Sequence, residues 1–193
     1  MNAKLDKLRE LVADRIVLRD GPYTLASGNV SEYYYDLKLA TYDPEAIALI
    51  GELVLDRIKG TGAEAIGGLE TGANPIITAT LIAANQAKVP LKGFYVRKEV
   101  KRHGTKNAIE GYLPSGERPR VALVEDVITQ GGSISQAITE VENAGFEVAK
   151  IVAVVDRLEG GSQKVRGRGY EVDALFEATN GVVRTARFEK SAA

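Results

Sequence analysis

The sequence predicts an α/β fold, a parallel twisted sheet flanked by helices with a small N-terminal hood ahead of it. Three observations carry this. From Glu64 onward strand-like and helix-like stretches alternate, the order that yields parallel strands with right-handed crossovers. Ala149–Val155 is apolar without a break, as strands covered on both faces are. Two small-residue loops, 70–75 and 129–133, each follow a strand and lead into a helix.

Composition narrows the class. The chain has 193 residues, 45% of them hydrophobic. That suits one domain of about 150–200 residues with a substantial core. We read residues 1–193 as a single domain, the hood covering about 1–42 and the core about 43–177. A formal net charge of -1 favours neither nucleic acid nor membrane as a partner. The absence of cysteine excludes disulfides and thiolate metal sites and fits a reducing interior. MNAKLDKLRE alternates in charge and has no apolar signal region. No run approaches the roughly 20 apolar residues that span a bilayer. The expectation is a soluble, cytoplasmic protein.

Taken in order, Leu5, Leu8, Leu11, Val12 and Ile16 fall at helical spacing and predict an amphipathic helix over 3–18, stopped by Asp20-Gly21-Pro22. Tyr23 to Lys38 reads as a strand pair turning at Ser27-Gly28-Asn29. Tyr33, Tyr34 and Tyr35 cannot all face one side of a strand, so at least one faces a cleft or an interface. Asp43-Pro44 opens a second helix, with Ile47, Ile50, Leu53, Val54 and Ile58 on its apolar face and Gly60 and Gly62 at its end. A short strand over 64–69 leads into Glu70-Thr71-Gly72-Ala73-Asn74-Pro75 and a helix from Pro75 to Lys88, with Asn74 as its cap.

Leu91 to Val96 is another strand. Arg97 to Gly111 follows without helical or strand period, and five cations (Arg97, Lys98, Lys101, Arg102, Lys106) face one acid, Glu99, up to Lys106. The only histidine, His103, sits among them before Gly104. A solvated loop is the ordinary reading of such a run; a lid closing on an anion would have the same composition. Val121–Val124 is a buried strand, and its helix runs from about Ser133 to Gly145 at the C′ position. Ala149–Val155 delivers Asp156 and Arg157. A loop begins at Glu159-Gly160-Gly161-Ser162, polar residues fill 163–169, Tyr170–Glu177 is a last strand, and 178–193 is a weak terminal segment.

The chemistry concentrates in VALVEDVITQGGS, residues 121–133. A strand, two acids, a glycine loop and a helix N-terminus aim bare N–H groups and a helix dipole at one concavity, which suits phosphate. The acids suit sugar hydroxyls or the divalent cation that accompanies a phosphate. Spacing alone also allows an ordinary capped βα turn. Ligands of parallel sheets sit outside the carboxyl ends of the strands. Both small-residue loops, the basic loop and Arg157 lie at such ends and are expected to converge.

VALVEDVITQGGS resembles the phosphoribosyl pyrophosphate (PRPP) motif of type I phosphoribosyltransferases. RKEVKRHG is similar to the R-K-x-x-K-x-H-G signature of the orotate phosphoribosyltransferase family, through Arg97, Lys98, Lys101 and His103. TLASG, SEYYYDLK and Asp156-Arg157 also fit, so the resemblance reaches to about residue 177. It implies the type I phosphoribosyltransferase fold and transfer of phosphoribosyl from PRPP, bound with Mg2+, to orotate. The products would be orotidine 5′-monophosphate and pyrophosphate, in de novo pyrimidine (UMP) synthesis. It implies Lys101, His103 and Asp126 as catalytic residues. Glu125 and Asp126 would hold the ribose hydroxyls, Thr129, Gln130, Gly131, Gly132 and Ser133 would bind the 5′-phosphate, and Val127 and Ile128 would also bind PRPP. Arg97, Lys98, Lys101 and His103 would meet the diphosphate, and Thr71, Gly72 and Ala73 the pyrophosphate. Arg157, Thr129, Tyr34 and Tyr35 would meet orotate. No protein residue is assigned directly to the metal. A homodimer sharing loop 98–111 across its interface is implied as well. The chain departs from other members in four ways: Ala26 where many carry Lys, no Lys in 70–75, Tyr34-Tyr35 where paired Phe occurs, and Gln130 where a small residue is commoner. Two rivals share the PRPP motif: a purine phosphoribosyltransferase, and a PRPP-sensing regulator that binds RNA through the basic loop.

Overall fold

The computed structural model describes residues 3–24, 28, 30–99 and 107–186. Its centre is a seven-stranded sheet. Five strands are parallel: β5 (Ala65–Gly67), β6 (Lys92–Val96), β8 (Arg120–Ile128), β9 (Glu147–Asp156) and β10 (Val172–Thr179). Two antiparallel edge strands complete it, β7 (Ile109–Gly111) on β6 and β11 (Val182–Thr185) on β10. The order is β11-β10-β9-β8-β5-β6-β7.

Strand alternation divides the core in two. Ala122 and Val124 of β8 and Val152 and Val154 of β9 face one cluster, while Val121, Leu123, Ile151 and Ala153 face the other. The first cluster is covered by α1 (Ala3–Val12), α3 (Pro44–Ile58) and α4 (Ala73–Gln86). The second is covered by α5 (Gly132–Asn143), through Ile134, Ala137, Ile138 and Val141, and by Val165 of α6 (Gly161–Arg166). Each fully buried aliphatic side chain contributes about 1.5–3 kcal/mol, so this two-sided layering explains the unbroken apolar run in β9.

The hood is built from very short strands. β1 (Val17–Leu18) pairs with β4 (Tyr34–Tyr35), and β2 (Tyr23–Thr24) pairs with β3 (Val30–Ser31), as the expected turn requires. The turn residues Leu25–Ser27 and Asn29 lie outside the described set. A single turn of helix, α2 (Lys38–Thr41), leads to α3, where the Asp43 carboxylate accepts from the N–H groups of Glu45 and Ala46 as the sequence predicts.

Several expectations are corrected. The first helix stops at Val12 rather than 18, because β-branched Val17 is drawn into pairing with Tyr35. Asn74 does not cap α4; Gly72 occupies that position and Asn74 lies inside the first turn. The end of the basic loop is the strand β7, so the loop joins the arms of a β-hairpin. Polar 163–169 begins with the short helix α6. The terminal segment contains β11, so neither edge of the sheet is parallel.

Candidate active site

The strand order reverses between β5 and β8: the chain proceeds outward from β5 to β6, then returns to β8 and runs the other way to β10. Such a switch point opens a crevice at the carboxyl ends of its strands. A cleft of about 640 Å³ lies there, lined by Tyr34, Tyr35, Lys98, Glu125 through Ile134, and Arg157.

Its floor is the end of β8. The strand runs through both acids to Ile128, beyond the expected Val124, and this extension separates their environments. Glu125 is buried and its Oε2 has no protein partner. Burial, and then the neighbouring Asp126, push its carboxyl well above the usual carboxylate range. Glu125 therefore holds its proton where an exposed carboxyl has lost it. Asp126 is half-buried, and its Oδ1 accepts from the Val127 N–H at 2.8 Å. Of the two acids, Asp126 is the less buried.

Beyond β8, Gly131 sits at φ 75° and starts α5 with no side chain on its first N–H groups. The opening amides of a helix have no intrahelical acceptor, so they remain available to an anion. This loop is braced from behind, with Thr129 O accepting from Gly161 N at 3.0 Å and Ile128 O from Arg157 N at 2.9 Å. A Cβ on Gly161 would stand 2.6 Å from Thr129 O, so α6 and the loop touch backbone to backbone.

The loop after β5 approaches the acids from the other side. Its Glu70–Thr71 peptide is cis. A Cβ on Gly72 would lie 2.5 Å from Asp126 Oδ2, so only glycine lets the loop close on that carboxylate. Thr71 is exposed and Gly72 half-buried. Ala73 is fully buried, and its N–H points to Leu69 O at 3.4 Å.

The hood supplies the roof. Tyr34 is exposed and packs near Tyr23, whereas Tyr35 is buried with the Arg157 guanidinium 5.0 Å over its ring. Arg157 pairs with Glu159 at 2.7 Å, and its Nε has no protein partner. Lys98 reaches the cleft, but Arg97 does not: its guanidinium pairs with Glu110 across the β6–β7 hairpin and lies near Tyr95. Lys101 and His103 lie outside the described residues, as does Ala26.

Three site-supporting side chains have no sequence signal. Glu70 accepts the Lys98 N–H at 3.1 Å and Gln136 donates to the Lys98 carbonyl at 3.1 Å, so together they anchor the base of the basic loop. Lys38, held above its ordinary pKa first by its bond to Asp36, also feels the charge of Asp126. These partners are 28 and 38 residues from Lys98, beyond any local pattern.

An acid-bearing parallel strand, a glycine turn with an open helix N-terminus, and a switch-point cleft define a sugar-phosphate transferase. The phosphoribosyl transferase domain family matches residues 42–175, and the chain belongs to it. The orotate phosphoribosyltransferase of Aquifex aeolicus (strain VF5) is 42% identical over 174 residues, covering 89% of this chain and 94% of that one. That of Methanocaldococcus jannaschii is 41% identical over 172 residues, covering 89% and 93%. The Mycobacterium tuberculosis H37Rv orotate phosphoribosyltransferase, solved in complex with PRPP, superposes with a TM-score of 0.72 at 30% identity, covering 92% and 90%. Within the family the chain belongs with the orotate phosphoribosyltransferases.

Proposed function

We propose that the switch-point cleft transfers the 5-phosphoribosyl group of PRPP to orotate, giving orotidine 5′-monophosphate and pyrophosphate for pyrimidine synthesis. The bond from the anomeric carbon to the diphosphate oxygen breaks, one from that carbon to an orotate ring nitrogen forms, and the proton of that nitrogen is released. The carrying observation is that the phosphate grip of β8 and α5 and the buried Arg157–Tyr35 pair line one cleft.

The 5′-phosphate sits on the amides of 131–133 with the hydroxyls of Thr129 and Ser133. Asp126 and protonated Glu125 hold the ribose hydroxyls, and the Asp126 charge favours the oxocarbenium-like carbon as it develops. Lys98, with Lys101 and His103 from the loop, faces the leaving diphosphate, and Thr71 and Gly72 offer backbone N–H groups to it. Arg157 presents a planar donor to the planar acceptor over Tyr35. Among the described residues no cluster of three His, Cys, Asp or Glu could form a metal cage. A Mg2+ arriving on PRPP needs only one or two protein carboxylates, and Asp126, kept clear by Gly72, fits that need. When bound, Mg2+ would neutralise charge on the diphosphate. The protein works as a cytoplasmic homodimer in which loop 98–111 serves the neighbouring site. No helix among the described residues is long and apolar enough to cross a membrane.

Incubation with PRPP, Mg2+ and either orotate or adenine tests the acceptor: orotate absorbance falls, and consumption of adenine alone overturns the assignment. Asp126→Asn lowers kcat by about 100- to 1,000-fold. Mixed Lys101→Ala and Asp126→Asn subunits recover activity if the loop is shared; verified heterodimers without recovery refute the sharing.

A further inference from the structure

β10 and β11 meet in a two-residue turn, Asn180–Gly181, with φ of 51° and 73° and Thr179 opposite Val182. Asn-Gly with both φ positive is the tight hairpin turn whose twist matches its strands. Gly181 is buried, because three hood side chains meet it. The Tyr35 hydroxyl accepts its N–H at 3.1 Å, and Arg19 Nη2 donates to its carbonyl at 3.0 Å. The ring of Tyr33 lies so close that a Cβ on Gly181 would stand 2.5 Å from it.

Tyr35 carries this contact onward to Arg157. Tyr35 is 7% exposed, and its ring lies under the guanidinium of Arg157, itself 9% exposed. Glu159 pins one edge of that guanidinium, and Nε remains without a protein partner. We propose that the Asn180–Gly181 turn is a positioning element of the acceptor subsite, acting through Tyr35 on Arg157. The inference rests on the reading of Arg157 as the orotate-binding group. A ring held by packing alone can tilt, whereas one tied by its hydroxyl to a buried backbone N–H cannot tilt without leaving that group unsatisfied. A planar forked donor loses its match to a planar acceptor when its support tilts. The phosphate grip lies on β8, separated from β10 and β11 by β9, so the effect falls on the acceptor and not on PRPP.

The test compares kcat and both KM values in Tyr35→Phe, Arg19→Ala and Arg19→Lys, with Arg157→Lys as reference. Arg19 is half exposed, so its removal leaves the core intact. Arg19→Ala raises the orotate KM by about 3- to 10-fold, the scale of one buried hydrogen bond, with kcat and the PRPP KM within about 2-fold, and Tyr35→Phe raises the orotate KM at least as much. Arg19→Lys restores part of the loss. Equal losses in kcat and both KM values reduce the turn to a structural role and overturn the proposal. So does an unchanged orotate KM in both variants while Arg157→Lys raises it. An unchanged orotate KM in Arg157→Lys removes the acceptor reading itself, and the proposal with it.

Discussion

Glu125→Gln isolates the buried acid of the cleft. The substitution keeps shape and removes only the ionisation. Glu125 is 5% exposed, its Oε2 is orphaned, and burial followed by Asp126 raises its pKa well above 4.5. In the unfolded chain the same carboxyl ionises near that ordinary value. As pH rises past it, the unfolded state releases the proton while the folded state keeps it. Folding stability then falls by up to about 1.4 kcal/mol per pH unit, until the folded group ionises too. The contribution is therefore least unfavourable below pH 4.5 and grows more unfavourable on the alkaline side. Urea unfolding of both ligand-free proteins from pH 5 to 8.5 measures it, because other titrating groups cancel in the difference. The Gln variant gains on the wild type as pH rises from 5, until folded Glu125 ionises. A difference that does not change with pH refutes the protonated, buried Glu125.

Two further substitutions separate activity from stability. Gly72→Ala places a Cβ 2.5 Å from Asp126 Oδ2 and forces the carboxylate away from the Val127 N–H. Displacement of this order costs about 100-fold in kcat, with the melting temperature nearly unchanged, as steady-state kinetics beside a thermal melt would record. Lys150→Met acts at the opposite end of the sheet, where Lys150, 6% exposed, lies 2.5 Å from Glu171 and 3.0 Å from Asp173. Its loss leaves half-buried Asp173 to Arg57, 3.8 Å away, costs about 1–2 kcal/mol, and lowers Tm by about 2–8 °C, with kcat at 25 °C retained.

What could be read from the sequence follows from how local each cause is. The β8–α5 unit was legible because an apolar run, two acids and two glycines stand in one stretch, in the order that suits an anion site. The α3 cap was legible for the same reason. The raised pKa of Glu125 was not: two adjacent carboxyl groups part in environment because β8 continues to Ile128 and buries one of them. α2 and α6, at four and six residues, are too short for a helical period to register. β11 does carry a local signal in Asn180–Gly181, but only four short-patterned residues follow it. The anchoring of Lys98 by Glu70 and Gln136 depends on the completed sheet, and no spacing rule reaches that far.

The unequal acids bear on how the cleft receives its ligand. PRPP carries several negative charges, and two adjacent carboxylates on its floor would repel it. Burial of Glu125 disfavours one of those charges without removing the group, which can still meet a hydroxyl. The remaining anion is countered by Lys98 and Arg157 along the cleft wall and by Lys38 from the hood, whose pKa its charge helps to raise. Neighbouring titratable groups driven apart by environment mark distinct chemical roles. On the proposed reading both acids hold ribose hydroxyls, and half-buried Asp126 is the one whose charge favours the developing carbocation.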